Sequence, residues 1–220
     1  MFFSKKSNNS NFNQNTFFKN KTFFVYGLGL TGLSVVNYFK SKKINHFIWD
    51  DNPSIRKKFN INKNIVKLIP QILECSDWII ISPGIDIDRA IFKKQLSENL
   101  AKIITDIDLF YILYPKIKSI VVTGSNGKST TCKAIEHIFK NKFDVKLGGN
   151  IGKPALSLKI KKNTIAVLEA SSYHLYYSKF ISPDDAILLN ISNDHLDWHK
   201  TKNNYLNSKF KIFINQKKNN

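Results

Sequence analysis

The residues best placed to do chemistry are Gly124-Ser125-Asn126-Gly127-Lys128-Ser129-Thr130, which directly follow the apolar run Ile120-Val121-Val122-Thr123. A strand that feeds a glycine loop, with a helix opening at its far end, aims several backbone N–H groups and the helix dipole at one point. That point suits the phosphates of a nucleotide. Lys128 would meet the β- and γ-phosphates, and Ser129 or Thr130 would hold Mg²⁺. The loop is a shortened variant of the usual phosphate loop, because Val122 stands at the position of its first glycine.

A second glycine series, Gly27-Leu28-Gly29-Leu30-Thr31-Gly32, follows the apolar run at residues 22–26. Asp50 and Asp51 end the next apolar run, about 20 residues on. This is the pattern of a nucleotide pyrophosphate held at a helix N-terminus, with a carboxylate near the ribose. Alone it fits NAD as well as other nucleotides.

Three further groups belong to strand ends. Glu169 closes the run at residues 165–168, where a Mg²⁺ ligand beside a phosphate loop is expected. Asn193-Asp194-His195 follows the run at 186–190. Gly148-Gly149-Asn150-Ile151-Gly152 follows the run at 145–147, and so many glycines imply close approach of backbone to something.

The elements that must position these residues alternate between strand and helix. Strands are expected at 22–26, 46–49, 65–68, 78–81 and 103–104, with helices near 30–40 and 88–100. A second series has strands at 119–122, 145–147, 165–168 and 186–190, a helix at 128–140 and a last helix near 203–214. Such alternation predicts an α/β fold with parallel sheets covered by helices. The expected organisation is a disordered tail at 1–20, a Rossmann-like unit at 21–115 and a phosphate-loop sheet at 116–220. The segment 107–118 forms the junction.

Composition narrows the function. The chain has 220 residues and a net charge of +18, yet its only arginines are Arg56 and Arg89. Its lysines are spread over the whole chain rather than gathered on one element, so no nucleic-acid partner is expected. Cys75 and Cys132 form no CxxC pair, which fits a reduced, cytoplasmic setting. No apolar run reaches the roughly 18 residues of a membrane span.

Six motifs in register, Gly27–Ser34, Ser82–Ile85, Gly124–Thr130, Gly149–Gly152, Leu168–Tyr173 and Asn193–Asp197, resemble the Mur ligases. The resemblance runs over residues 21–215 and is closest to the branch that adds D-glutamate, which Asn126 favours over the L-alanine-adding branch. It implies an ATP-dependent amide ligase of cell-wall peptidoglycan synthesis, with UDP-N-acetylmuramoyl-L-alanine, D-glutamate and ATP as partners and Mg²⁺ as cofactor. By that resemblance Ser129 and Glu169 hold one Mg²⁺ and His195 helps hold a second. Lys209, in Tyr205-Leu206-Asn207-Ser208-Lys209, is the candidate for a carbamylated lysine. Leu30 and Thr31 lie at the uridine, with Asp50 or Asp51 nearby, and Ser82, Asn150, Ser171 and His195 lie along the UDP-sugar-peptide. The first unit is then expected to bind UDP rather than NAD.

The chain departs from the family pattern at Ser125, where Thr is usual, at His174, where Gln is usual, and at Trp198-His199, where Arg-Tyr is usual. The family has three domains. Against that pattern the central domain is expected to be truncated: the chain is a fragment, a truncated and inactive gene product that only binds UDP-sugar or ATP, or one half of a split enzyme with a separately encoded C-terminal partner.

Overall fold

The computed structural model describes residues 14–61 and 66–216. Two four-stranded parallel sheets organise them. The first is built from β1 (Phe23–Tyr26), β2 (His46–Trp49), β3 (Trp78–Ile81) and β4 (Ile103–Ile104), in the order β2-β1-β3-β4. All four residues of β1 are buried, as expected of a central strand covered on both faces. Helix α1 (Gln14–Phe18) precedes β1, and α2 (Leu30–Ser41) follows it. Helices α3 (Pro53–Lys58), α4 (Ile69–Cys75) and α5 (Lys93–Glu98) fill the later connections.

The chain leaves β1 for β2 on one side and reaches β3 on the other. The crevice between the ends of β1 and β3 is therefore a topological switch point, where ligands settle in open parallel sheets. Gly27 and Ser82 face each other there, with the Ser82 hydroxyl donating to the Gly27 carbonyl at 2.8 Å.

Helix α6 (Asp106–Leu113) carries the chain to the second sheet, and every one of its residues is buried. Leu109 and Ile112 pack with Phe23, Val25 and Val35 in the first core. Ile107, Phe110 and Tyr111 pack with Val121, Ala166 and Leu168 in the second. The junction is thus a shared core helix rather than a linker. A capping box of Thr105 and Asp108 opens it. The other Asp108 oxygen accepts from Ser178 Oγ at 2.6 Å and from the Lys179 and Phe180 amides at 2.9 and 2.7 Å. One buried carboxylate therefore caps the helix and clasps the second domain.

The second sheet contains β5 (Lys118–Thr123), β6 (Asp144–Gly149), β7 (Thr164–Glu169) and β8 (Asp185–Leu188), in the order β6-β7-β5-β8. Its helices are α7 (Lys128–Phe139), α8 (Ser172–Tyr177), the single turn α9 (Leu196–His199) and α10 (Lys202–Phe210). Register pairs Val122 with Glu169 and Thr123 with Leu188, so the loops after β5, β7 and β8 leave one edge together.

Three expectations need correction. The strand at 65–68 is absent from the described part of that segment: Val66 is helical and Lys67 and Leu68 form a turn, while Ile65 lies outside the described residues. The helix at 88–100 is broken into a 3-10 turn at Ile87–Arg89 and α5. Asp86 caps that turn, and Ile87, Ala90, Phe92 and Leu96 are all buried, at a spacing one helix cannot present to one core. The end of the expected disordered tail is ordered. Phe17 of α1 is buried against Phe23 and Trp78, with ring centroids at 5.8 and 5.2 Å. Residues 1–13 lie outside the described residues. Among the described residues no helix is long and apolar enough to cross a membrane.

Candidate functional site

The phosphate loop forms between β5 and α7, with Gly127 as the helix N-cap. Asn190, just past β8, fixes its shape. The Asn190 side chain accepts from the Asn126 amide at 2.9 Å and donates to the Asn126 carbonyl at 3.1 Å, and its backbone carbonyl accepts from the Ser125 amide at 3.0 Å. Ser125 Oγ lies 2.8 Å from the Tyr205 hydroxyl and accepts from the Ser192 amide at 2.9 Å. The hydroxyl kept at this position is thus one of the ties between the loop and α10. Lys128 bends back over the loop and donates to the Gly124 and Ser125 carbonyls, each at 2.9 Å.

Ser129, in the first turn of α7, donates to Glu169 Oε2 at 2.6 Å. Glu169 is buried, and its other oxygen accepts from Asn150 Nδ2 at 2.9 Å. Asn150 reaches it because Gly149 adopts a φ of +93° and passes so close that a Cβ there would stand 2.3 Å from the Glu169 carbonyl oxygen. A hydroxyl and a carboxylate at the mouth of a phosphate loop are hard oxygen donors of the kind Mg²⁺ takes, so these residues fit that ion. Among the described residues no three His, Cys, Asp or Glu side chains converge to hold a metal unaided.

Lys209 reaches the loop from α10, and His195 stands near Tyr205 of the same helix. Lys209 is buried, donates to the Gly124 carbonyl at 2.7 Å and lies 4.6 Å over the Tyr205 ring. Burial, then the charge of Lys128, pulls its amine down to about 8. His195 is exposed, and its Nδ1 is 3.3 Å from Asp194. Its ring packs on Tyr173 at 4.9 Å and approaches Tyr205 at 6.3 Å. Its left-handed backbone, φ +53°, starts the α9 turn. Ser129 and Glu169 are therefore in direct contact, whereas His195 and Lys209 are brought to Tyr205 and Gly124 without touching that pair.

A cleft of about 480 Å³ opens between the two sheets. Leu30, Thr31, Asp50 and Ser82 line it from the first domain, and Asn150, Tyr173 and His174 from the second. Of the two neighbouring aspartates, Asp50 lines the cleft and Asp51 does not. Asp50 accepts from the Leu28 and Asn52 amides at 2.7 and 2.8 Å. Asp51 is taken up by the Tyr26 hydroxyl, the Trp49 indole and the Ile91 amide. Ser171 caps α8 and does not itself line the cleft; its Oγ lies 2.8 Å from Nδ1 of the cleft residue His174. The Trp198-His199 pair packs inward: the His199 ring stacks on Tyr173 and its Nε2 lies 2.9 Å from Ser172 Oγ.

Sequence reasoning missed Asn190 and Asp106. Asn190 carried a faint signal, a polar residue ending an apolar run. Asp106 carried none, since a carboxylate at a helix start reads as an ordinary favourable dipole contact.

Comparison with known proteins agrees with this arrangement. A family model described as the Mur ligase MurD-like N-terminal domain matches residues 21–104, and the Mur ligase middle domain matches residues 122–220. The chain is 38% identical over 200 residues to the UDP-N-acetylmuramoylalanine–D-glutamate ligase of Rickettsia prowazekii, covering 89% of this chain and 44% of that one. It is 40% identical over 202 residues to the enzyme of the same name from Rickettsia bellii, again covering 44% of it. The chain therefore spans less than half the length of these relatives. In fold it is similar to the UDP-N-acetylmuramate:L-alanyl-gamma-D-glutamyl-meso-diaminopimelate ligase of Neisseria meningitides, with a TM-score of 0.54 at 14% identity, covering 90% of this chain and 69% of that one. With two of the family's domains matched in series over the two parallel sheets, the chain belongs to the Mur ligase family.

Proposed function

We propose that this chain supplies the UDP-sugar-binding and ATP-binding parts of a ligase that joins D-glutamate to UDP-N-acetylmuramoyl-L-alanine. The observation that carries the reading is the meeting of two sites. Asn150 lines the interdomain cleft and is hydrogen-bonded to the Glu169 that holds Ser129 of the phosphate loop. A substrate carboxylate beside Asn150 would lie next to the terminal phosphate of ATP.

In this reading the carboxylate oxygen attacks the γ-phosphorus, ADP leaves, and an acyl phosphate forms. The D-glutamate amine then attacks the acyl carbon, loses a proton and expels phosphate. Charge grows on the phosphoryl oxygens during transfer, and Lys128 is placed to stabilise it once it turns from the loop carbonyls. Ser129 and Glu169 would hold Mg²⁺, which supplies further positive charge to those oxygens. Leu30, Thr31 and Asp50 bind the uridine end, and Ser82, Asn150, Ser171 and His195 the sugar-peptide. Lys209 is proposed to carry a carbamate. Its depressed amine supports this, because only the neutral form reacts with CO₂.

Titration calorimetry with UDP-N-acetylmuramoyl-L-alanine and with Mg²⁺-ATP tests the binding half. Saturable binding of both is expected, and NADH binding in their place would overturn the reading. ATP- and D-glutamate-dependent phosphate release tests the rest. It should be measured for this chain alone and with the C-terminal portion of one of its longer relatives added.

A further inference from the structure

Beneath the cleft lies a polar cluster that the phosphate loop does not use. His174 is 2% exposed and lines the cleft floor. Its Nδ1 lies 2.8 Å from Ser171 Oγ, and its Nε2 lies 3.6 Å from Asp106 Oδ1. Asp106 is fully buried in the first turn of α6. His174 Nε2 and both Asp106 oxygens lack a hydrogen-bond partner. Orphaned buried polar atoms cost about 1–3 kcal/mol each, so three in one place call for an explanation.

Their proton affinities differ. Burial pushes His174 down to about 3, so its ring stays neutral at ordinary pH. Burial, then the charge of Asp108, pushes Asp106 up to about 7. The Ile107, Asp106 and Ala155 amides offset part of this without reaching hydrogen-bond geometry. The other groups facing Asp106 are few. Asp108 is on its own helix and His174 is on α8, while the Ala155–Ser157 turn packed on α6 has no titratable side chain. On α2, Tyr38 packs on Phe18 and Phe39, and Lys40 is exposed. Lys179, beyond Asp108, is held by the Leu100 and Ile103 carbonyls.

We infer that Ser171, His174 and Asp106 form a proton relay under the cleft, in which the protonation state of Asp106 sets the direction of the Ser171 hydroxyl. With Asp106 ionised, the ring proton sits on Nε2 facing the carboxylate. Nδ1 then accepts the Ser171 O–H, and Ser171 offers a ligand only lone pairs. With Asp106 protonated, its O–H donates to Nε2. The ring proton then sits on Nδ1 and donates to Ser171 Oγ, which frees the Ser171 O–H. The two states differ by one proton. Closing the 3.6 Å gap takes a side-chain shift of about half an ångström to reach hydrogen-bond distance.

Ser171, at 8%, is the most exposed of the three. It stands two residues from Glu169, whose carboxylate holds the cleft residue Asn150. A carboxylate or phosphate oxygen docking at Ser171 selects the protonated state, so its binding takes up a proton above neutral pH. This ligand half rests on the cleft reading proposed above; the relay itself does not.

NMR of ¹⁵N-histidine-labelled protein between about pH 5 and 9 tests the relay without ligand. His174 is expected to remain neutral and to switch from the Nε2–H to the Nδ1–H tautomer as pH falls through about 7, a switch that Asp106→Asn removes. One tautomer throughout, or a charged ring, overturns the relay. Calorimetry with UDP-N-acetylmuramoyl-L-alanine in buffers of different ionisation enthalpy tests the ligand half. Uptake of about one proton near pH 8 is expected, falling toward zero near pH 6 and lost in His174→Gln. Binding without uptake overturns the ligand half even where the tautomer switch is present, and uptake that persists in His174→Gln overturns the relay as its source. No binding at all strikes the cleft reading and leaves the NMR result standing.

Discussion

The two glycine loops sit at equivalent places in two parallel sheets and are built by opposite means. The loop at Gly27–Gly32 works by leaving side chains out. A Cβ at Gly32 would stand 1.8 Å from the Gly27 carbonyl oxygen, and one at Gly27 would meet Ser82 Cβ at 2.8 Å. Its nearest carboxylate, Asp50, is spent on backbone amides. The loop at Gly124–Thr130 works by bringing side chains in: Lys128, Ser129, Glu169 and Lys209 all touch it or its helix. The first loop should therefore fail through its fold and the second through its chemistry.

The sharpest way to break that contrast is Gly32→Ala. An alanine there gains helix propensity of about 1 kcal/mol, but overlap at 1.8 Å forces backbone apart. A net loss of about 3 kcal/mol or more is expected in urea unfolding, together with loss of uridine-nucleotide binding. A variant of unchanged stability would mean that the first loop is not sterically closed.

The matching change in the second loop is Lys128→Ala. Its ammonium is bonded only to two loop carbonyls in the structure, so the fold should lose little. A charge-assisted contact to phosphate is worth about 1.5–3 kcal/mol, so ATP affinity should fall about 10- to 150-fold. Calorimetry beside a melting curve separates the two effects. A large drop in melting temperature with little loss of ATP affinity would make the second loop resemble the first.

Lys209 adds a pH dependence to the second loop. Its folded-state value, about 8, lies below the ordinary 10.5. Below pH 8 the amine is charged whether folded or not, and the desolvation penalty is full. Between 8 and 10.5 the folded chain releases its proton first, so the unfolded chain binds more protons and stability rises with pH. Relative to Lys209→Met, the wild type should gain about 1–2 kcal/mol across that window, allowing for water reaching part of the amine. Parallel stability curves for the two proteins would show that Lys209 is not desolvated.

The same contrast explains what could be read from sequence. Both loops were legible because each has glycines and a strand before it, and β1, β2, β3, β4 and α7 were placed to within a residue or two. Spacing alone left Ser129 and Thr130 open, and the family resemblance singled out Ser129 with Glu169, two residues that the fold brings into contact at 2.6 Å. The partners that fix each loop were hidden. Asp50 and Asp51 are neighbours of one type, and only the fold shows one reaching the cleft and the other turned to Tyr26 and Trp49. The segment 107–118 looked like a junction. Nothing local announced that Asp108 binds residues about 70 positions later. The broken helix at 88–100 failed for a related reason: its apolar spacing serves a winding path over the first core rather than one helix face.

The smallest effect tests the support of the second loop. Asn190→Ala removes two hydrogen bonds with Asn126, one donated by its amide and one accepted by its carbonyl, and leaves the backbone bond from Ser125 in place. Both lost bonds are at the surface, where water can replace the missing partner, so stability should fall by only about 1 kcal/mol. The functional loss should be comparable, since an Asn126 released from Asn190 would let the phosphate loop sample other shapes. An ATP affinity reduced about three- to fivefold follows from that size of effect. Asp50→Asn does the corresponding thing to the first loop, since the one acceptor oxygen left can serve only one of the Leu28 and Asn52 amides, and the Leu28 bond is buried. The ratio of the two losses therefore measures how far one loop depends on its enclosure and the other on its side chains. Equal losses would mean that both loops are held in the same way.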